Sequence, residues 1–102
     1  MSRPLYVVAV TFVVKGGHEA QFLAAALVNA EASLQEAGCR MFDICESTIR
    51  SEYLFYELYD DRAAFDFHCQ TPHFFAFDRQ TQDWVEKKTV VDYLAMATTA
   101  GR

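Results

Sequence analysis

With 102 residues, 52% of them hydrophobic, the chain is long enough for one small domain with its own core, expected to span residues 1–102. A formal net charge of −5 and a pI near 5.0 exclude a basic nucleic-acid surface, and no lysine cluster suggests an anionic membrane. The aromatic content of 15% exceeds what a minimal core needs and points to a subunit interface, a ligand pocket, or both.

The first predicted element is a strand from Leu5 to Val14, reading LYVVAVTFVV. It is β-branched and aromatic, and apolar at nearly every position rather than at every second one. Such a strand is buried on both faces. Helices of its own chain can cover one face, and a second copy of the chain is the expected cover for the other. The run is too short to cross a bilayer, and no charged region, apolar run and cleavage site mark a leader. The three cysteines, Cys39, Cys45 and Cys69, are odd in number and lack metal or redox spacing. Reduced thiols in a soluble cytoplasmic protein are the expectation.

Lys15-Gly16-Gly17 is a turn, and His18 to Ala37 is the longest helix candidate, with no proline or glycine. Leu23, Leu27, Ala30 and Leu34 form an apolar stripe at helical spacing. Phe22, Ala26, Asn29 and Ser33 form the stripe beside it, so Asn29 and Ser33 lie one turn apart at the border of the buried face. They are either solvated polar positions or the mouth of a pocket. Gly38 suits a helix C-terminus.

Cys39 to Ser47 and Glu52 to Asp60 read as two strands joined through residues 48–51. A register following the apolar positions puts Phe42 and Ile44 on one face with Leu54, Tyr56 and Leu58. Asp43 would then neighbour Glu57 on the other face, and two such carboxylates need cationic partners or one raised pKa. Asp60-Asp61 caps a short helix that ends near Cys69. Thr71-Pro72 is an N-cap followed by proline in the first turn, opening a helix predicted to reach Glu86, where Lys87-Lys88 closes it with charge favourable to the helix dipole. Thr89 to Ala97 is the last strand, and the tail to Arg102 is expected to fray.

His68 falls in the last turn of the short helix and His73 in the first turn of the next. An imidazole walled by Phe65, Phe74 and Phe77 is a candidate base in a dry pocket, or simply a packed histidine at a helix end. His68 and His73 are separated by a proline and His18 is remote, so no metal-ligand spacing emerges. The order strand, helix, strand, strand, helical segment, strand is the α+β, ferredoxin-like split β-α-β arrangement, a four-stranded antiparallel sheet with helices on one face.

Asn29-x-x-x-Ser33, Glu36-Ala37-Gly38-Cys39, Phe42-Asp43-Ile44, Tyr56-Glu57 and His68-x-x-Thr71-Pro72-His73-Phe74 occur in that order. Together they resemble the antibiotic biosynthesis monooxygenase family, and within it the small quinol-monooxygenase-like proteins and the autoinducer-2 phosphate isomerases. The resemblance runs from Val7 to Phe77. It implies a homodimer whose two sheets pack face to face as a dimeric α+β barrel, with dioxygen and a quinol or polyphenol as substrates and no metal, flavin or haem. It implies His68 as base and Asn29 and Ser33 as oxyanion and orienting donors. Phe42, Glu57, Phe65, His73, Phe74 and Phe77 would contact substrate. An isomerase of a small phosphorylated carbonyl compound is the alternative, for which Lys15 and Arg40 are the candidate phosphate cations before Arg50, and a non-catalytic binding module is a third reading. The family often has proline where this chain has Ala37, and arginine where it has Met41, with Arg40 one place earlier. The only tryptophan, Trp84, does not fit the pattern of haem-degrading relatives.

Overall fold

A computed structural model describes residues 4–97; residues 98–102, where the tail was expected to fray, lie outside the described residues. The elements are β1 (Leu5–Val14), α1 (Glu19–Ser33), β2 (Cys39–Glu46), β3 (Glu52–Tyr59), α2 (Arg62–His68), α3 (Pro72–Thr81) and β4 (Val85–Ala95). The strands form one four-stranded sheet in the order β2-β3-β1-β4, antiparallel at every pairing. This is the ferredoxin-like architecture, with the three helices packed on one face.

The core forms where the even-numbered residues of β1 (Tyr6, Val8, Val10, Phe12 and Val14) meet Phe22, Ala26 and Ala30 of α1 and Phe77 of α3. Phe12 stands 5.2 Å from Phe22 and 4.6 Å from Phe55, ring centroid to ring centroid. Removing each such ring from water contributes roughly 1.5–3 kcal/mol. The odd-numbered residues of β1 face away from the helices, beside Leu54, Tyr56 and Leu58 of β3 and Val91 and Tyr93 of β4. Among the described residues no element covers that side, and Val91 is 41% and Tyr93 56% exposed.

Several expectations change. α1 stops at Ser33, and its buried positions are Phe22, Ala25, Ala26, Asn29, Ala30 and Ser33. The stripe holding Asn29 and Ser33 is therefore the core stripe, while Leu27 and Leu34 are exposed. Alanines let the helix lie close to the sheet, so the small stripe packs and the leucines do not. α3 ends at Thr81, and Lys87 and Lys88 belong to β4 rather than to a helix end.

The register between β2 and β3 also differs. Phe42 pairs with Glu57 and Ile44 with Phe55, while Asp43 pairs with Tyr56 on the opposite face. The expected Asp43/Glu57 pair does not exist. Both faces of β3 are apolar, so alternation carried no register information. The pairing shifts between Cys39 and Met41, and the bulge sends Arg40 outward to a salt bridge with Asp60.

Gly38 is not a left-handed helix cap, because Gly17 is the only glycine with positive φ among the described residues. A Cβ on Gly38 would meet the Cβ of Ala64 at 2.5 Å. The glycine lets α2 settle on the start of β2, which brings His68 over the sheet.

Candidate active site

Two caps hold the histidine-bearing segment. The Asp61 carboxylate accepts the Ala64 N–H at 2.9 Å and starts α2. The Thr71 hydroxyl accepts the Phe74 N–H at 3.2 Å and donates to the His68 carbonyl at 2.8 Å, tying the end of α2 to the start of α3. This turn fixes both histidines within a few residues of one another.

An apolar cavity of about 210 Å³ opens between the sheet and α1, α2 and α3. Val10, Phe12, Phe55, Phe65, Phe74 and Phe77 form its walls, and Asn29, Glu57, His68 and Lys88 supply its polar groups, with Cys69, Asp78 and Val90 completing the lining. His68 is 2% exposed, with its ring 5.3 Å from Phe74 and 6.1 Å from Phe65. Its Nδ1 lies 2.8 Å from Glu36 Oε2, and its Nε2 lies 3.9 Å from Glu57 Oε1. Burial pulls the His68 pKa below its ordinary value, against the Glu36 carboxylate, which raises it. Burial thus favours the neutral imidazole over the charged one.

Glu57 moves the other way. It is 3% exposed, and burial pushes its pKa up to about 7 even though the Tyr59 hydroxyl donates to it at 2.5 Å. A carboxyl that keeps part of its protons near neutrality thus stands beside an imidazole that burial disfavours charging, an arrangement in which one pocket can both take and give a proton.

Asn29 is 4% exposed, and its side-chain oxygen has no protein hydrogen-bond partner. An amide can present oxygen or NH₂ by turning about its last bond, so Asn29 is available to a ligand. Lys88 Nζ stands 5.6 Å from the ring centroids of both Phe12 and Phe74 at the cavity lip, and 3.8 Å from Asp78.

Asn29, Glu57, Phe65, His68, Phe74 and Phe77 therefore converge on one cavity. Ser33 does not reach it: its hydroxyl donates back to the Asn29 carbonyl at 2.7 Å. Phe42 lies in the core, its ring 5.9 Å from His68. His73 approaches from the far side, its Nε2 2.5 Å from the same Glu36 Oε2, and lines an outer groove with Glu36. Neither Lys15 nor Arg40 lines the cavity.

Glu36 and Lys88 have roles that sequence reasoning missed. Glu36 was visible only as one residue of a motif, and Lys88 was read as helix-closing charge. A signal existed for Lys88: starting the last strand a few residues earlier puts it on the Phe12 side of the sheet. The ligating atoms of Glu36, His68 and His73 lie within 4.8 Å of one another, a grouping able to hold a metal ion that spacing along the chain did not reveal. His68 Nδ1 and His73 Nε2 both approach Glu36 Oε2, which is the geometry of a hydrogen-bonded trio.

Residues 5–80 match the profile of the antibiotic biosynthesis monooxygenase family. The chain belongs to that family. A Nitrosomonas europaea protein named as a candidate antibiotic biosynthesis monooxygenase superposes with a TM-score of 0.91 at 27% identity, over 98% of both chains. The solved structure of a Mycobacterium tuberculosis protein superposes with a TM-score of 0.85 over 95% of this chain and 99% of the other, at 23% identity, a likeness of fold. In sequence, the chain is 33% identical over 94 residues to an uncharacterised protein of Synechocystis sp., covering 91% of this chain and 64% of that relative. It is 33% identical over 60 residues to a Mycobacterium tuberculosis protein named as a candidate monooxygenase, covering 59% of each. The chain thus spans less than two thirds of the length of these two curated relatives.

Proposed function

We propose that the protein is a cofactor-independent monooxygenase acting on a small phenol or quinol, with His68 as general base. The observation that carries this reading is the cavity itself: an apolar slot in which a buried imidazole, a raised-pKa carboxyl and an unpartnered amide converge. Its volume of about 210 Å³ is below the roughly 300–1,000 Å³ of drug-sized pockets and favours a one-ring substrate over a multi-ring polyphenol.

His68 Nε2 takes the hydroxyl proton, and the Asn29 amide donates to the resulting oxyanion. The electron-rich anion gives an electron to dioxygen, and the radical pair joins through a new ring C–O bond. The peroxide takes a proton from Glu57 or from the His68 imidazolium. Loss of the ring C–H proton to the base then breaks the O–O bond, and the departing hydroxide is protonated to water. A hydroquinone and dioxygen become a hydroxyquinone and one water, with no outside reductant.

In this reading the protein is a homodimer, with the second copy covering the exposed apolar sheet face that carries Tyr56, Val91 and Tyr93. Lys88 at the lip gives the isomerase alternative its one specific support, as a cation for a phosphate. Oxygen uptake by chelator-treated protein separates these readings. One-ring hydroquinones should drive uptake that falls in His68→Ala. Uptake absent across hydroquinones of one to three rings, with turnover of a phosphorylated diketone, would transfer the assignment to the isomerase. Binding of hydroquinone without turnover of either would leave a binding module.

A further inference from the structure

We propose that Glu36 is the positioning residue of this site: its Oε2 accepts the Nδ1–H of His68, selecting the tautomer whose bare Nε2 faces the cavity, while His73 holds the carboxylate from the outer side. The proposal rests on the reading of His68 as base.

Glu36 lies in the turn after α1, 32 residues from His68 in sequence, and its side chain is 5% exposed. Its Oε2 is 2.8 Å from His68 Nδ1 and 2.5 Å from His73 Nε2. A neutral imidazole carries one proton, and the nitrogen facing a carboxylate oxygen is the one that must carry it. For His68 that leaves Nε2 bare, directed to the side where Glu57 stands 3.9 Å away. Without Glu36 nothing on that side of the ring selects the tautomer, and the proton could settle on Nε2 and block the base.

The carboxylate is also short of partners. Its Oε1 is buried with no hydrogen bond, so its charge is incompletely compensated in the resting site. When His68 takes the substrate proton, the new imidazolium stands against that carboxylate at 2.8 Å, and the ion pair forms at the step that needs it. His73, with a side chain 22% exposed, limits how far Glu36 can rotate by holding the same oxygen.

The test needs no substrate. Nitrogen-15 spectra of the histidine side chains, in chelator at pH 7.5, should show His68 protonated at Nδ1 and bare at Nε2, and His73 protonated at Nε2. Glu36→Gln keeps an oxygen acceptor without the charge, and the His68 titration midpoint should move down. In turnover with a one-ring hydroquinone, Glu36→Gln should lower kcat roughly 10–100-fold with KM little changed, the scale seen when an imidazole loses its outer partner in metal sites. Wild-type His68 found with its proton on Nε2 overturns the proposal, as does zinc binding that displaces the Nδ1 proton at micromolar concentration. If Glu36→Gln does not fold, the wild-type tautomer decides alone. If no hydroquinone is turned over by wild type, the oxygenase reading falls while the tautomer still judges Glu36. If wild type turns over and Glu36→Gln matches it with an unmoved His68 midpoint, Glu36 falls and the oxygenase reading stands.

Discussion

At the scale of single residues, the cavity holds two titrating groups, His68 and Glu57, whose burial pushes their pKa values in opposite directions. His68→Ala removes the proposed base and should lower turnover of a one-ring hydroquinone roughly 10²–10⁴-fold while circular dichroism stays native. Wild-type turnover in that variant would reduce His68 to a packing residue. Glu57 makes a separate prediction about stability. Its folded pKa of about 7 lies above the ordinary carboxyl value of 4.5, so between these values the folded chain binds more protons than the unfolded one. Stability therefore falls as pH rises through this window, by an amount on the order of 3 kcal/mol if the whole shift is expressed. Glu57→Gln keeps an acceptor for the Tyr59 hydroxyl and removes the charge, so its gain in Tm over wild type should be larger at pH 8 than at pH 5. An equal gain at both values would mean that Glu57 is ionised across the range. His68 contributes with the opposite sign: its lowered pKa supplies stability above the unfolded value that is lost as pH falls through the folded one.

At the scale of elements, the site depends on how α2 is seated. Gly38→Ala puts a Cβ 2.5 Å from that of Ala64, and neither atom belongs to a side chain that can swing away. The substitution should cost about 1–3 kcal/mol in denaturant unfolding and should lower activity by displacing His68. Unchanged stability and activity would show that α2 has freedom to lift. The helix boundaries around this segment were legible because Asp61 and Thr71-Pro72 are capping signals that act within a few residues. The first strand was legible from its unbroken apolar run. The convergence of Asn29 and His68 was reachable from helical spacing and the ordered motifs. What spacing could not supply was anything set by strand register or by contacts across the fold. Glu57 and Phe42 share the helix-facing side of the sheet only because of a pairing that two apolar faces leave unspecified. Glu36 meets two histidines from another part of the chain, and Ser33 turns its hydroxyl to its own helix rather than to the cavity.

At the scale of the whole molecule, the sheet face without helices is the surface on which assembly turns. Leu54, Tyr56, Val91 and Tyr93 lie there at 37%, 37%, 41% and 56% exposure. A second copy packed on this face would bury the apolar side that the first strand presents, and a stable contact of this kind needs roughly 1,200–2,000 Å² in total. Sedimentation at micromolar concentration should give a dimer, and Tyr93→Glu should give a folded monomer, since that side chain is already exposed in the single chain. A monomeric wild type would contradict the arrangement. The central claim concerns chemistry and is tested most directly by isotope labelling. Chelator-treated protein should be given a one-ring hydroquinone under ¹⁸O₂, with product and water analysed by mass. One labelled oxygen in the hydroxyquinone and one in water is the result expected of a substrate anion that reacts with dioxygen. An unlabelled quinone formed with hydrogen peroxide, or no consumption of oxygen, would contradict it.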